Sequence, residues 1–272
     1  MSPEPDRRAI DAIVAQIDAA LRDIARRPIV LGLCGAQGSG KSTIAATLER
    51  RLRESGTNVA TLSLDDLYLT HTQRRQRARN VHPLFATRGV PGTHDIALGE
   101  AIFAALDAGA PTRLPRFDKS SDDRARADER PILELPLDVL IFEGWCVGAQ
   151  PQPAEALASP INMLEADEDP DGIWRRYAND ALARPYQRLF ARIDRLVLLA
   201  APSFAVVRRW RLEQEEALRR DRPHGRALMD RSAIDRFIAH YERLTRHILI
   251  EMPDRADLVL RLDEQRRVRA IN

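Results

Sequence analysis

The stretch LGLCGAQGSGKST, Leu31 to Thr43, constrains this chain more than any other. It carries Gly35-x-x-x-x-Gly40-Lys41-Ser42 directly after an apolar run and directly before STIAATLERRL, whose apolar residues recur at helical spacing. Glycines at 35, 38 and 40 free the backbone to turn its N–H groups inward, and a helix starting near Lys41 adds the positive end of its dipole. In that strand-loop-helix setting the pattern predicts a cradle for the phosphates of a nucleoside triphosphate. Gly35, Ala36, Gln37, Gly38, Ser39, Gly40, Lys41, Ser42 and Thr43 would surround them, with Lys41 on the β- and γ-phosphates and the Ser42 hydroxyl on Mg2+.

Five apolar runs read as buried parallel strands: PIVLGLCG from Pro28, NVATLSL from Asn58, DVLIFEG from Asp138, RLVLLAA from Arg195 and DLVLRLD from Asp257. Helical patterns lie between them, among them the segment from Ser42 closed by Gly56 and the one from Asp95 closed by Gly109. The alternation predicts an α/β fold of the P-loop NTPase type: a doubly wound, mainly parallel five-stranded sheet flanked by helices, in a single domain over residues 1–272. Ile10, Ile13, Val14, Ile17, Ala20 and Leu21 make residues 1–27 an amphipathic N-terminal helix packed on that sheet. Three segments fit a sheet poorly. Residues 71–94 read as a polar loop, 115–131 are dense in charge, and 149–187 form a long insertion after the third strand. Connections leaving the carboxyl ends of strands surround the ligand crevice of such a sheet.

Composition narrows the setting. With 44% hydrophobic and 30% charged residues, no apolar run near membrane-spanning length and no secretory pattern at the start, the chain reads as cytoplasmic and free of membrane. A net charge of +2, spread rather than blocked, gives no footprint for nucleic acid. Cys34 and Cys146 lack metal-ligand company and read as reduced, buried side chains. Of 42 basic residues only Lys41 and Lys119 are lysines. A bias that replaces lysine wherever arginine serves leaves the survivors where a compact, mobile ammonium is needed.

The second strand ends in SLDDLYLT, which sets Asp65 and Asp66 at its carboxyl end. A carboxylate there can accept a proton from an attacking hydroxyl and share the Mg2+ environment; two such acids can also merely begin a turn. The third strand, VLIFEGW, delivers Glu143 where a Walker B strand carries its metal-binding acid. The guanine-reading Asn-Lys-x-Asp is absent, and the nearest approach, Asp118-Lys119, follows no buried strand.

A phosphate loop followed by SLDDLY and FEG resembles the phosphoribulokinase, uridine kinase and pantothenate kinase superfamily. Within it, SLDDLYLT, RGVPGTHD, LPRFDKS, FEGWCVG, EDPDGIWRRYAND and WRLEQEEALR, in that order over roughly residues 28–250, are similar to the D-glycerate 3-kinase family of plants, fungi and bacteria. The resemblance implies ATP- and Mg2+-dependent phosphorylation of the 3-hydroxyl of D-glycerate, with Asp65 as base and metal neighbour and Ser42 and Glu143 completing the metal site. The small-molecule acceptor would meet Asp66, Tyr68, Arg88, His94, Asp95, Asp118 and Lys119, which offer cations for a carboxylate and acceptors for hydroxyls. His94 is either an oriented imidazole or part of a helix cap with Thr93 or Asp95.

Two departures touch acceptor loops. Val90 and Pro91 follow Gly89 where the family reads closer to Arg-Gly-Asn-x-Gly-x-His-Asp, and SSDDRARADER lacks the family's glycines. Residues 204–225 read as an arginine-rich lid over the phosphates, with Arg211 and Arg219 on nearly one helical face as catalytic candidates. The acids Asp167, Glu168, Asp169 and Asp171 lack EF-hand spacing and read as a solvated turn, and Trp174, Tyr177 and Tyr186 as packing the following helix on the sheet. Kinase activity on a nucleoside, pantothenate or another sugar acid, and a P-loop ATPase or GTPase switch, remain open alternatives. Oligomeric state is not legible.

Overall fold

The computed structural model describes residues 5–126, 132–221 and 231–272. Its helices are α1 (Arg7–Asp23), α2 (Lys41–Glu54), α3 (His71–Asn80), α4 (Ile96–Asp107), α5 (Met163–Glu168), α6 (Ile173–Ala181), α7 (Gln187–Phe190), α8 (Phe204–Asp221) and α9 (Arg231–Glu251). The strands are β1 (Ile29–Gly35), β2 (Val59–Ser63), β3 (Phe117–Asp118), β4 (Asp123–Arg124), β5 (Val139–Gly144), β6 (Arg195–Ala200), β7 (Leu258–Leu262) and β8 (Val268–Ile271). The main sheet runs β2-β5-β1-β6-β7-β8. Its first five strands are parallel and are the five apolar runs of the sequence.

The sheet has a sixth strand where five were expected. Strand β8 returns antiparallel on β7 through a tight turn in which the Asp263 carboxylate accepts from the N–H groups of Gln265 (2.9 Å) and Arg267 (2.8 Å). It covers an edge that would otherwise present unpaired backbone to solvent.

Strands β1 and β5 are buried along their whole length, as near-continuous apolar runs require. On one face, Ile13 and Ile17 of α1 and Ile44 and Leu48 of α2 pack on Leu31, Leu33, Ile141 and Val197, with Trp210 of α8 beside them. Asp6 caps α1 by accepting from the Arg8 N–H at 2.9 Å. On the other face, Phe103 of α4, Leu189 of α7 and Ile248 of α9 pack on Val30, Leu140, Phe142 and Leu198. Cys34 and Cys146 are buried free thiols.

The segment expected to be a polar loop, 71–94, contains α3, started by a capping box between Thr70 and Gln73. Its sequence hides a helix because the one side chain α3 buries is a charged one, Arg74. Residues 149–187 are helical over much of their length, with one π-helical turn at Leu182–Tyr186 around Pro185. Only Tyr186 of the three aromatics there joins the sheet core. Trp174 packs on Phe85, Val90 and Leu164 in a separate cluster, with Tyr177 against it. Nor is the acidic turn wholly solvated: Asp169 is buried and pairs with buried Arg175 at 3.0 Å.

No described helix is long and apolar enough to cross a membrane. The arginine-rich stretch forms α8, anchored by buried Val207 and Trp210, with Arg208 on Asp235 at 2.7 Å and Arg209 on Glu264 at 3.0 Å. Residues 222–225 and the side chain of Arg219 lie outside the described residues.

Candidate active site

The loop after β1 adopts the backbone its glycines permit. Gly38 and Gly40 have φ of +79° and +90°, and Gly40 is the N-cap of α2 with no side-chain cap bond. The first N–H groups of α2 therefore stay open to an anion, and a Cβ placed at Gly40 would meet nothing within 4 Å. The Ser39 hydroxyl, which can donate to an anion, and the Gln37 side-chain Oε1, which can only accept, are buried without a hydrogen-bond partner among the described residues.

Glu143 sits where the sheet register predicts, opposite Leu33 of β1 and Ser63 of β2. It is buried, and its Oε1 accepts from the Ser42 hydroxyl at 3.2 Å, while its Oε2 has no partner among the described residues. A hydroxyl and an orphaned carboxylate oxygen suit a hard cation that keeps most of its shell for water and phosphate. Among the described residues no group of three or more His, Cys, Asp or Glu forms a cage for a metal. Such a cage is not what Mg2+ uses beside a nucleotide.

Beyond β2, a one-turn 3-10 helix, Leu64–Leu67, carries the two aspartates. Asp65 is partly buried; its Oδ2 accepts from Lys119 Nζ at 2.7 Å and its Oδ1 from the Tyr68 hydroxyl at 2.8 Å. Burial opposes its charge, but Lys119 outweighs it, helped by Lys41 and Tyr68, and holds the carboxyl down at about 2. Asp66 turns the other way. Its two oxygens accept from the Phe117 N–H at 3.0 Å and Arg116 at 2.8 Å, so it fastens the β3–β4 ribbon and is not free for an acceptor; burial raises its pKa.

That ribbon carries Lys119 at its tip. Asp118 shapes the tip by accepting from the hydroxyls of Ser120 and Ser121 at 2.6 and 2.7 Å, one on each oxygen, which lowers its pKa. Lys119 itself is 61% exposed and has room to move. In the same turn, next to β4, Asp122 pairs with both Arg88 and fully buried Arg74, and both guanidinium groups lie 5.6 Å from the Phe117 ring centroid.

His94 and Asp95 have different tasks. Asp95 caps α4, accepting from the Leu98 N–H at 3.1 Å, and pairs with Arg124 at 2.9 Å. His94 is buried, stacks on Tyr68 with centroids 4.5 Å apart, and shares a 2.5 Å hydrogen bond between Nδ1 and the Tyr186 hydroxyl. Burial pushes its pKa down to about 3, so the ring is neutral. Of the two sequence alternatives, an oriented imidazole or a cap, His94 is the imidazole and Asp95 the cap. Both line a cleft of about 520 Å3 with Arg77, Tyr177 and Arg184, whose walls include neither Asp65 nor the phosphate loop.

Sequence reasoning missed Arg74, Arg116, Asp122, Arg124 and Tyr241. Tyr241 donates to the Arg88 carbonyl at 3.1 Å, and Trp145 donates to the Gly89 carbonyl at 2.9 Å, fixing the loop that bears Arg88. Gly89 was the available signal: its φ is +136° and a Cβ there would lie 2.0 Å from the Tyr241 hydroxyl. The arginines carried none in a chain this rich in them. Arg211 lies on α8 with its guanidinium 5.5 Å from the Phe237 ring centroid.

Residues 30–153 match the phosphoribulokinase / uridine kinase family. An uncharacterised kinase of Schizosaccharomyces pombe is 35% identical over 79% of each chain. The chain belongs to the phosphoribulokinase and uridine kinase family. Within it the likeness runs to the D-glycerate 3-kinases. The chloroplastic D-glycerate 3-kinase of Arabidopsis thaliana is 32% identical over 79% of this chain, which spans 46% of that enzyme's length. The D-glycerate 3-kinase of Cryptococcus neoformans superposes with a TM-score of 0.80 at 25% identity, covering 98% of both chains. Membership makes this kinase an ATP-dependent phosphotransferase acting on a hydroxyl group of a small molecule.

Proposed function

We propose that this kinase transfers the γ-phosphoryl group of ATP to the 3-hydroxyl of D-glycerate. The observation that carries the reading is the ion pair of Asp65 and Lys119, a proton acceptor and a mobile cation 2.7 Å apart beside the phosphate loop. A hydroxy acid presents a hydroxyl to the first and a carboxylate to the second. Its D-glycerate-kinase relatives over most of the chain support the choice of acceptor.

In the proposed reaction the loop N–H groups and Lys41 hold the phosphates, and Ser42 and Glu143 hold Mg2+. Bound there, Mg2+ would neutralise charge on the β- and γ-phosphate oxygens. Asp65 accepts the proton of the attacking hydroxyl, and Tyr68, donating to its other oxygen, aims the carboxylate. Lys119 leaves Asp65 for the acceptor's carboxylate, and Arg88, set by Asp122, lines the same side. As Lys119 moves away, the largest force opposing burial of Asp65 is lost, with only Lys41 and the Tyr68 hydroxyl left against it, and the carboxylate becomes more basic when the hydroxyl arrives. Arg211 and Arg219 of α8 are the arginines proposed to neutralise the transferring group.

The test is ADP release with ATP and Mg2+ across D-glycerate, L-glycerate, uridine, pantothenate and water alone. Strong stimulation by D-glycerate, with 3-phosphoglycerate as product, is the expected result. Stimulation by uridine or pantothenate instead overturns the choice of acceptor.

A further inference from the structure

The turn between β7 and β8 brings a side chain to the phosphate loop from 228 residues away. Arg266 has a φ of +66°, a left-handed backbone that glycine or asparagine adopts at less cost than arginine. The turn does not need the arginine side chain for its own shape. Asp263 supplies the bonds to residues 265 and 267, and its carbonyl accepts from the Arg266 N–H at 3.0 Å. What the side chain does lies elsewhere.

Its Nε donates to the carbonyl of Gly38, inside the phosphate loop, at 2.7 Å. Its guanidinium lies 5.1 Å from the ring centroid of Trp210, and its Nη2 pairs with Glu213 at 2.8 Å. Trp210 is in turn fully buried and donates from Nε1 to the Glu264 carbonyl at 2.7 Å. A Cβ placed on Gly38 would come within 2.7 Å of the Trp210 Cβ, so helix and loop are already in close contact there. Phosphate loop, α8 and β7–β8 turn meet in one joint, and Arg266 is the residue bonded to all three.

A peptide's carbonyl and the following N–H point in opposite directions. Fixing the Gly38 carbonyl outward on Arg266 therefore directs the Ser39 N–H back across the loop, where it meets the Ala36 carbonyl at 3.2 Å. The peptide on which the cradle folds is thus oriented from outside the cradle.

We propose that Arg266 is a positioning residue for the nucleotide: it fixes the Gly38 peptide, and with it the loop N–H groups that meet the phosphates, and it couples that loop to α8 through Trp210 and Glu213. The proposal rests on nucleotide binding alone and is independent of the acceptor.

The test is ADP binding by calorimetry, paired with thermal melts, for the full chain and two variants. Arg266→Gly relieves the left-handed backbone and is expected to keep Tm within about 3 °C of wild type, because relief of strain offsets lost contacts. Its ADP Kd is expected to rise about tenfold, the scale of one charge-assisted hydrogen bond. Arg266→Lys keeps a cation beside Glu213 but lacks the fork that reaches Gly38 at the same time, and is expected to recover less than half of the loss. An ADP Kd for Arg266→Gly within twofold of wild type overturns the proposal. So does a weakened Kd accompanied by a large fall in Tm, which assigns Arg266 to general stability, and so does full recovery by lysine, which reduces its role to charge.

Discussion

At the phosphate end of the site the geometry is made by backbone: two left-handed glycines, the open start of α2, and a carboxylate set by strand register. At the proposed acceptor end it is made by pairs of charged side chains that span long stretches of chain: Asp65 with Lys119, Asp66 with Arg116, Asp95 with Arg124, and Asp122 with Arg74 and Arg88. A backbone cradle tolerates drift in its side chains and serves any nucleoside triphosphate. An arrangement of ion pairs changes shape with each member, and that is where a family that shares one donor can diverge in acceptor.

The contrast breaks most visibly at Asp65. Asp65→Asn is expected to lower kcat by about 10^3-fold, the middle of the range for a lost general base, while ADP binding stays within about twofold because the cradle does not use that carboxylate. A kcat near wild type removes Asp65 from the proposed chemistry.

Next in size is Asp122. Asp122→Ala leaves the buried Arg74 guanidinium short of its carboxylate and frees Arg88, at a cost of about 2 kcal/mol, less than for a fully enclosed pair because Asp122 is partly exposed. A lower denaturant midpoint, a raised acceptor KM and an unchanged ADP Kd are the expected set. A loss of ADP affinity equal to the loss of acceptor affinity erases the distinction between the two ends.

The smallest effect sharpens the comparison through pH. In the resting protein the Asp65 carboxyl is held at about 2, so it is ionised, and able to take up a proton once Lys119 moves off, at every pH above roughly 3. Lys119→Ala removes the cation and leaves burial to raise that pKa, so base competence is lost at a higher pH as acid is added. The acid limb of kcat/KM is expected to move up by about one pH unit or more, with acceptor KM raised about tenfold. An acid limb that stays put separates Lys119 from Asp65.

What is legible in the sequence divides along the same line. The cradle, the five parallel strands and Glu143 follow from local pattern, because apolar runs and glycine spacing act over a few residues. Lys119 is legible for a different reason, as a rare residue type in a chain where arginine fills nearly every basic position. Its partner is not: no periodicity joins residue 119 to residue 65, and strands β3 and β4 are two residues each, too short for alternation to register. Helix α3 and its buried Arg74 escape notice because burial there is accomplished by ion pairing and aromatic contact and not by an apolar stripe. The hairpin that ends the sheet, with Arg266 in its turn, is equally silent, since VRAI is short and its arginine is one of many.

The Asp65–Lys119 pair has a consequence for the enzyme at rest. While no acceptor is present, the carboxylate that could deprotonate a hydroxyl is occupied by an ammonium and lies far below the basicity needed to activate water. Under the proposed function the pair would work as a safety catch: the nucleotide would sit loaded in its cradle without idle turnover, and the carboxylate of an arriving hydroxy acid would release the base that acts on it.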